Sequence, residues 1–100
     1  MQITYTGRNI EITEALRSYA EEKLKRKSKH SDQIMSIHFI FLIESTSSKE
    51  QQQVAEAVVS LRGKTVNATA ASEDMYKSID LVLDKVDRQL IKYRDKLKSL

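Results

Sequence analysis

An apolar stripe near the end of the chain constrains the fold more than any other feature of the sequence. Its members are spaced by three or four residues, as on one face of an α-helix: Met75, Ile79, Val82, Val86, Leu90, Tyr93 and Leu97. A stripe this long predicts a helix that packs against a core along most of its length. Ser72 is a suitable N-cap for this helix, and Glu73 and Asp74 would then lie in its first turn.

Four segments of the remaining chain have the alternating or β-rich composition of strands. They are residues 2–6, 34–43, 53–61 and 64–71. We expect the first strand to end in a turn at Gly7, because glycine adopts turn conformations at little cost. The last two strands are expected to form a hairpin that turns at Arg62-Gly63 for the same reason.

A shorter helix is predicted between the first two strands. Thr13 is a suitable N-cap, and Leu16, Tyr19, Ala20 and Leu24 follow at helical spacing. The apolar positions stop at Leu24, so the end of this helix is expected to extend past the core. The element order is β-α-β-β-β-α, which predicts an α+β fold with two helices packed on one face of a four-stranded sheet.

Composition favours one small domain that spans residues 1–100, with 40% hydrophobic residues to build a core. The chain has no cysteine, so it offers no disulfide and no thiolate ligand. Its first residues alternate instead of forming the apolar run of a signal peptide, and no stretch approaches the roughly 18 apolar residues of a membrane span. We therefore expect a cytoplasmic protein with no cofactor, membrane partner or small-molecule substrate.

Positive charge is concentrated in two segments, although the net charge is only +3. Residues 14–30 and 84–98 each contain six cations and three acids, whereas residues 31–75 contain three cations and six acids. The first segment includes KLKRKSK at residues 23–29, with five cations and no acid. In the second segment four cations fall within an arc of about 80° on a helical wheel. We name them the basic ridge: Lys85, Arg88, Lys92 and Lys96.

Two interpretations of these cations remain open at this point. Lysines near a helix C-terminus complement the helix dipole, and the spacing of Asp84 and Arg88 allows an ordinary ion pair. The crowding of like charges favours instead a polyanion, because cations that neutralise phosphates release counterions. The candidate RNA-binding residues are Lys23, Lys25, Arg26, Lys27, Lys29, Lys85, Arg88, Lys92 and Lys96.

The sequence contains no recognisable catalytic or metal-binding arrangement. His30 and His38 are its two histidines, neither has a metal-ligand spacing, and His38 is interpreted as a residue on a strand face. No glycine-rich phosphate loop is present, and no base is placed to activate a serine or threonine. We predict that the protein is not an enzyme. The aromatic residues Phe39, Phe41, Tyr76 and Tyr93 are interpreted as core residues, so stacking on nucleobases is not expected.

Two segments of the chain are similar to the signatures of a known family. They are GRNIEITEALR at residues 7–17 and the start of the second helix, with EDMY at 73–76 and DKVDRQL at 84–90. Both resemble the bacterial ribosome hibernation promoting factor family, also called sigma-54 modulation or ribosome-associated inhibitor proteins. The resemblance covers nearly the whole chain. It implies a fold like that of double-stranded-RNA-binding domains.

The resemblance also implies a function and a site. Such proteins bind the small (30S) ribosomal subunit and its 16S ribosomal RNA near the decoding centre, occlude the channel for messenger and transfer RNA, and silence ribosomes in stationary phase. Family basic positions map onto Lys23, Arg26 and the basic ridge, whereas Lys25, Lys27 and Lys29 are added from charge alone. Lys27 stands where relatives usually have an apolar residue.

The length of the chain resembles that of short family members. These act with a separate ribosome modulation factor to give inactive dimeric (100S) ribosomes. One alternative is a ribosome-associated inhibitor that stabilises inactive monomeric ribosomes. Another, from a different class, is a protein-interaction adaptor that acts on a sigma factor.

Overall fold

The computed structural model describes residues 1–27 and 31–98, without the side chains of residues 27, 97 and 98. Its elements are β1 (Gln2–Arg8), α1 (Glu14–Lys27), β2 (Ile34–Ile43), β3 (Gln53–Leu61), β4 (Lys64–Ser72) and α2 (Met75–Lys98). Short 3-10 turns occur at Ser31–Gln33 and Lys49–Gln51. The predicted β-α-β-β-β-α order is confirmed.

The four strands form one mixed sheet in the order β1-β2-β3-β4. Strand β1 pairs parallel with β2, while β2–β3 and β3–β4 are antiparallel. The run at residues 34–43 is a central strand, as predicted. Gly63 has a φ of 80° at the turn between β3 and β4, which confirms that glycine supplies the left-handed backbone of this hairpin.

The core lies between one face of the sheet and the two helices. Phe39 and Phe41 point to this face and are fully buried. Burying one large apolar side chain contributes about 1.5–3 kcal/mol, so the helices are held mainly by their apolar faces. From α1 the core receives Leu16, Ala20 and Leu24; from α2 it receives Met75, Ile79, Val82, Leu83, Val86 and Leu90. The predicted stripes of both helices are confirmed over their described side chains.

His38 lies on the opposite face of the sheet, between two threonines of the neighbouring strand. Its Nδ1 is 2.6 Å from Thr4 Oγ1 and its Nε2 is 2.8 Å from Thr6 Oγ1. Its neighbours Ile37 and Phe39 point into the core, as the two-residue period of a strand requires. The interpretation of His38 as a strand-face residue is therefore confirmed.

The turn predicted at Gly7 is wrong. Strand β1 continues through Gly7 to Arg8, and the left-handed residue is Asn9, with a φ of 59°. A Cβ on Gly7 would lie 2.5 Å from the backbone oxygen of Ile10 and 3.0 Å from the Ile12 side chain. Glycine is needed here because the chain folds back against it, and not because its own backbone turns.

The two helix caps differ in how well the sequence predicted them. Thr13 caps α1 as expected, since its Oγ1 accepts a hydrogen bond from the Leu16 N–H at 3.1 Å. The cap predicted at Ser72 is wrong, because β4 extends through Ser72 and α2 begins only at Met75. Asp74 is the N-cap, and its Oδ1 accepts from the Tyr76 N–H at 3.1 Å.

Candidate nucleic-acid interface

Both helices start at the same end of the sheet and run in the same direction. Strands β1 and β4 run in the same direction. Strand β1 is parallel to β2, and β4 is also parallel to β2 in direction because both are antiparallel to β3. Each helix follows the C-terminal end of one of these strands. Thr13 and Leu16 of the α1 start line a common surface cavity with Asp74 and Met75 of the α2 start. The later, cation-rich parts of the two helices therefore extend toward the same end of the molecule.

A polar joint connects the two helices. The Tyr19 hydroxyl donates to the Asp80 carboxylate, with 3.0 Å to each carboxylate oxygen. The Tyr19 ring meets the Tyr76 ring edge-on, with centroids 4.9 Å apart. Burial, together with the hydrogen bond to Asp80, raises the pKa of Tyr19. The joint links residues that are far apart in the sequence, so no local sequence pattern predicts it.

Tyr76 was interpreted as a core residue, and this interpretation is wrong. Its side chain is 38% exposed, because the position lies at the edge of the α2 apolar stripe and beside α1 instead of over the sheet. Tyr93 is half-buried against the core, and its hydroxyl donates to the backbone oxygen of Arg62 at 2.6 Å.

The basic ridge is exposed along the side of α2 that faces β4. The Lys85 ammonium group donates to the backbone oxygen of Thr69 at 2.6 Å, so one member of the ridge is fixed against the sheet. Arg88 and Lys92 take part in no ion pair with another described residue. The Arg88 guanidinium and the Lys92 ammonium group are thus available to bind an anion from outside the protein.

Three cations of the ridge also line a cleft between α2 and the edge of the sheet. Its volume is about 320 Å³, and we name it the edge cleft. Its lining consists of Asn67, Ala68 and Thr69 from β4 and Lys85, Arg88, Gln89 and Lys92 from α2. Lys96 lies about one helical turn beyond Lys92 and is exposed. The cations are recognisable in the sequence by their helical period. Asn67 and Thr69 are not, because only the packing of strand on helix brings them beside the cations.

The cations of α1 are arranged differently. Lys23 lies over the Tyr19 ring at the helix–helix joint, with its Nζ 5.4 Å from the ring centroid. Lys25 and Arg26 are exposed, and Arg26 is paired with Glu22 at 2.8 Å. The Lys27 side chain and Lys29 lie outside the described residues. The candidate residues that are described thus form one group on each helix, and only the α2 group shares a cleft.

The described residues contain no group of three or more histidine, cysteine or acidic side chains that could hold a metal ion. Within the same part of the chain, no helix is long and apolar enough to cross a membrane.

Comparisons with known proteins agree on a single family. The sequence profile described as "Sigma 54 modulation protein / S30EA ribosomal protein" matches residues 3–98. The ribosome hibernation promoting factor of Azotobacter vinelandii is 43% identical over 96 residues, which cover 96% of this chain and 85% of the relative. That of Escherichia coli strain K12 is 36% identical and covers 99% of both chains.

The fold agrees as well. The solved structure of a ribosomal subunit interface protein from Coxiella burnetii superposes with a TM-score of 0.83 at 42% identity, covering 95% of this chain and 99% of that one. Family members are non-enzymatic, so the prediction that the protein is not an enzyme is confirmed. The chain belongs to the sigma-54 modulation protein and S30EA ribosomal protein family, which includes the ribosome hibernation promoting factors.

Proposed function

We propose that this protein is a ribosome hibernation promoting factor that acts in the cytoplasm. It binds the small (30S) ribosomal subunit near the decoding centre, through the phosphates of 16S ribosomal RNA. Bound there, it occludes the channel for messenger and transfer RNA and inhibits translation in stationary phase. Family membership at 36–43% identity to ribosome hibernation promoting factors supports this proposal.

The structural observation that supports it best is the basic ridge. From Lys85 to Lys96 the ridge extends along about 16 Å of helix, at 1.5 Å per residue, which is long enough to meet several phosphates of an RNA strand. Its Arg88 and Lys92 side chains are exposed and have no ion-pair partner among the described residues. Each phosphate they neutralise releases condensed counterions, so the affinity is expected to depend strongly on salt.

The aromatic residues support recognition of phosphate and shape instead of bases. Phe39 and Phe41 are fully buried, and the Tyr19 ring contacts Tyr76 and Lys23. Tyr76 is 38% exposed, but it lies in the first turn of α2, nine residues before the basic ridge begins. Stacking on unpaired bases requires an aromatic face that is open to the nucleic acid. We therefore expect contacts with the RNA backbone, as in proteins that recognise folded RNA by its shape.

The effect on ribosome assembly divides the proposal into two forms. With ribosome modulation factor as a partner, the protein promotes inactive dimeric (100S) ribosomes. The alternative form stabilises inactive monomers. Sedimentation profiles of ribosomes mixed with this protein, with and without ribosome modulation factor, distinguish the two, because only the first form gives a dimer peak that requires both proteins.

A second candidate function is an adaptor that acts on a sigma factor, which the description of the family favours. The basic ridge argues against it as the main role, since its exposed cations suit phosphate. Co-purification from cells with and without ribonuclease treatment separates the candidates. Partners held through RNA are lost after treatment, whereas a sigma factor is retained.

Co-sedimentation with purified small subunits over a series of salt concentrations tests the proposal. The wild type is compared with a Lys85→Ala, Arg88→Ala, Lys92→Ala variant. A control variant with Arg8→Ala, Lys49→Ala and Lys77→Ala loses the same charge at exposed positions elsewhere.

We expect the ridge variant to bind more weakly. Its slope of log affinity against log salt should be lower by about 2 to 3, close to one for each lost phosphate contact. The control should follow the wild type within about a factor of two. Wild-type protein that stays in the supernatant at low salt would contradict the proposal, as would equal losses in both variants.

A further inference from the structure

We propose that the edge cleft is a binding site for one ribose-phosphate unit of RNA, in which backbone groups of β4 act together with Arg88 and Lys92. This inference rests on the proposed function, which brings RNA to the basic ridge. It goes further because it assigns a role to the edge of the sheet. The ridge by itself does not separate RNA from DNA, since cations neutralise the phosphates of both.

The backbone of β4 supplies hydrogen-bonding groups to the cleft. This strand is at the edge of the sheet, so alternate residues direct both their N–H and C=O groups away from β3. The Thr69 carbonyl is one of these groups, because it accepts the hydrogen bond from Lys85 on α2. By the same alternation the Thr69 N–H and both backbone groups of Asn67 face outward. The sheet edge therefore offers two N–H donors beside the cations.

The opposite wall of the cleft is positively charged. Lys85, Arg88 and Lys92 line the helix side of the cleft, and no acidic residue of the described chain lines it. Lys85 is already held by the Thr69 carbonyl, which places its charge at the cleft before any ligand binds. A phosphate in the cleft would accept from backbone N–H groups on one side and from charged donors on the other. Both kinds of donor are common phosphate ligands in nucleic-acid complexes.

A ribose has partners at the cleft as well. The outward carbonyl of Asn67 and the side chain of Gln89 can exchange hydrogen bonds with a 2′-hydroxyl group. That group is both donor and acceptor, and DNA lacks it. The volume of about 320 Å³ is at the lower end for small-molecule sites, so the cleft admits a single nucleotide unit of a strand that continues along the ridge.

A titration with short nucleic acids tests this site without the ribosome. Nitrogen-15-labelled protein is titrated at low salt with an RNA duplex, and separately with a DNA duplex of the same sequence. We expect the amide signals of Asn67 and Thr69 to move on addition of RNA. We also expect RNA to bind about fivefold more tightly than DNA, as one additional hydrogen bond provides. No binding of RNA, or equal affinity for both duplexes with unmoved Asn67 and Thr69 signals, would overturn the site.

A pair of charge variants sharpens the test. Gln89→Glu puts a carboxylate on the helix side of the cleft and should lower RNA affinity about tenfold. Gln2→Glu makes the same change of charge on the opposite edge strand, at an exposed position, and should leave the affinity within about twofold. Equal affinities for the two charge variants would overturn the site.

The outcomes for the site and for the proposed function are distinguishable. If Gln89→Glu binds RNA duplexes like the wild type, while the ridge variant loses small-subunit binding, the site is overturned and the proposed function stands. If small subunits do not bind the wild type, while RNA duplexes still shift Asn67 and are preferred over DNA, the proposed function fails and the site is supported.

Discussion

Replacing Tyr19 with phenylalanine removes one oxygen atom from the joint between α1 and α2. The hydroxyl donates to both oxygens of the Asp80 carboxylate at 3.0 Å, and it connects two helices whose cations we assign to RNA binding. The phenylalanine ring still fits against Tyr76, since only the polar atom is lost. The variant therefore isolates the contribution of this hydrogen bond to stability.

The expected magnitude follows from the charge and the exposure of the acceptor. Hydrogen bonds to charged groups contribute about 1.5–3 kcal/mol. The bond is only partly buried, so we expect the lower end, about 1.5 kcal/mol. With an unfolding entropy of about 2.1 cal/mol/K per residue, this loss lowers the Tm of a chain of this length by about 7 °C.

Thermal unfolding followed by circular dichroism measures this effect. Tyr19→Phe, Asp80→Ala and the double variant form a double-mutant cycle, in which we expect a coupling energy of about 1–1.5 kcal/mol. Tyr76→Phe is the matched control, because its exposed side chain should tolerate loss of the hydroxyl within about 0.5 kcal/mol. A Tyr19→Phe Tm within about 2 °C of the wild type, or single-variant costs that simply add, would refute the reasoning.

Three further predictions concern packing and pH. Gly7→Ala places a Cβ 2.5 Å from a backbone oxygen and should cost about 1–3 kcal/mol in urea unfolding; an unchanged urea midpoint would show that the chain relaxes there freely. Ser78→Ala removes the buried hydroxyl that donates to the Gln53 carbonyl at 2.6 Å. We expect the free energy of unfolding in urea to fall by about 1–3 kcal/mol, and an unchanged value would contradict this. Burial and the neighbouring Glu21 carboxylate raise the pKa of Tyr5 in the folded protein. The stability that the protonated phenol contributes is therefore complete below about pH 10, the pKa of an unfolded tyrosine, and is lost as the pH rises through the pKa of the folded state. Ultraviolet titration should detect two phenols, those of Tyr5 and Tyr19, that ionise at higher pH in the folded protein than in urea.

The elements that the sequence predicted well are those whose signal is local and periodic. The α2 stripe from Met75 to Leu90 needs only helical spacing, and it is buried as expected. Strand β3 has the predicted bounds, and the β3–β4 turn contains the predicted glycine, because alternation and turn chemistry are properties of a few adjacent residues. The basic ridge belongs to the same class, since a helix fixes which of its cations share a side.

The features that were missed or misplaced depend on contacts between distant segments. The close approach of the Ile10 backbone explains why residue 7 is glycine, and pairing with Gln53 keeps Ser72 in a strand. Neither contact can be read from the residues next to Gly7 or Ser72 in the sequence. The edge cleft is similar, because Asn67 has no unusual neighbour in sequence and becomes notable only beside α2. A surface built from strand and helix together is therefore visible only in the packed structure.

Competition on the small ribosomal subunit tests the central claim most directly. Small subunits are loaded with labelled messenger RNA and transfer RNA, and increasing amounts of this protein are added. The account predicts that bound protein displaces the RNAs in equal proportion, and that the Lys85→Ala, Arg88→Ala, Lys92→Ala variant displaces neither at the same concentration. Small subunits that hold this protein, messenger RNA and transfer RNA together would contradict the proposed occlusion of the channel.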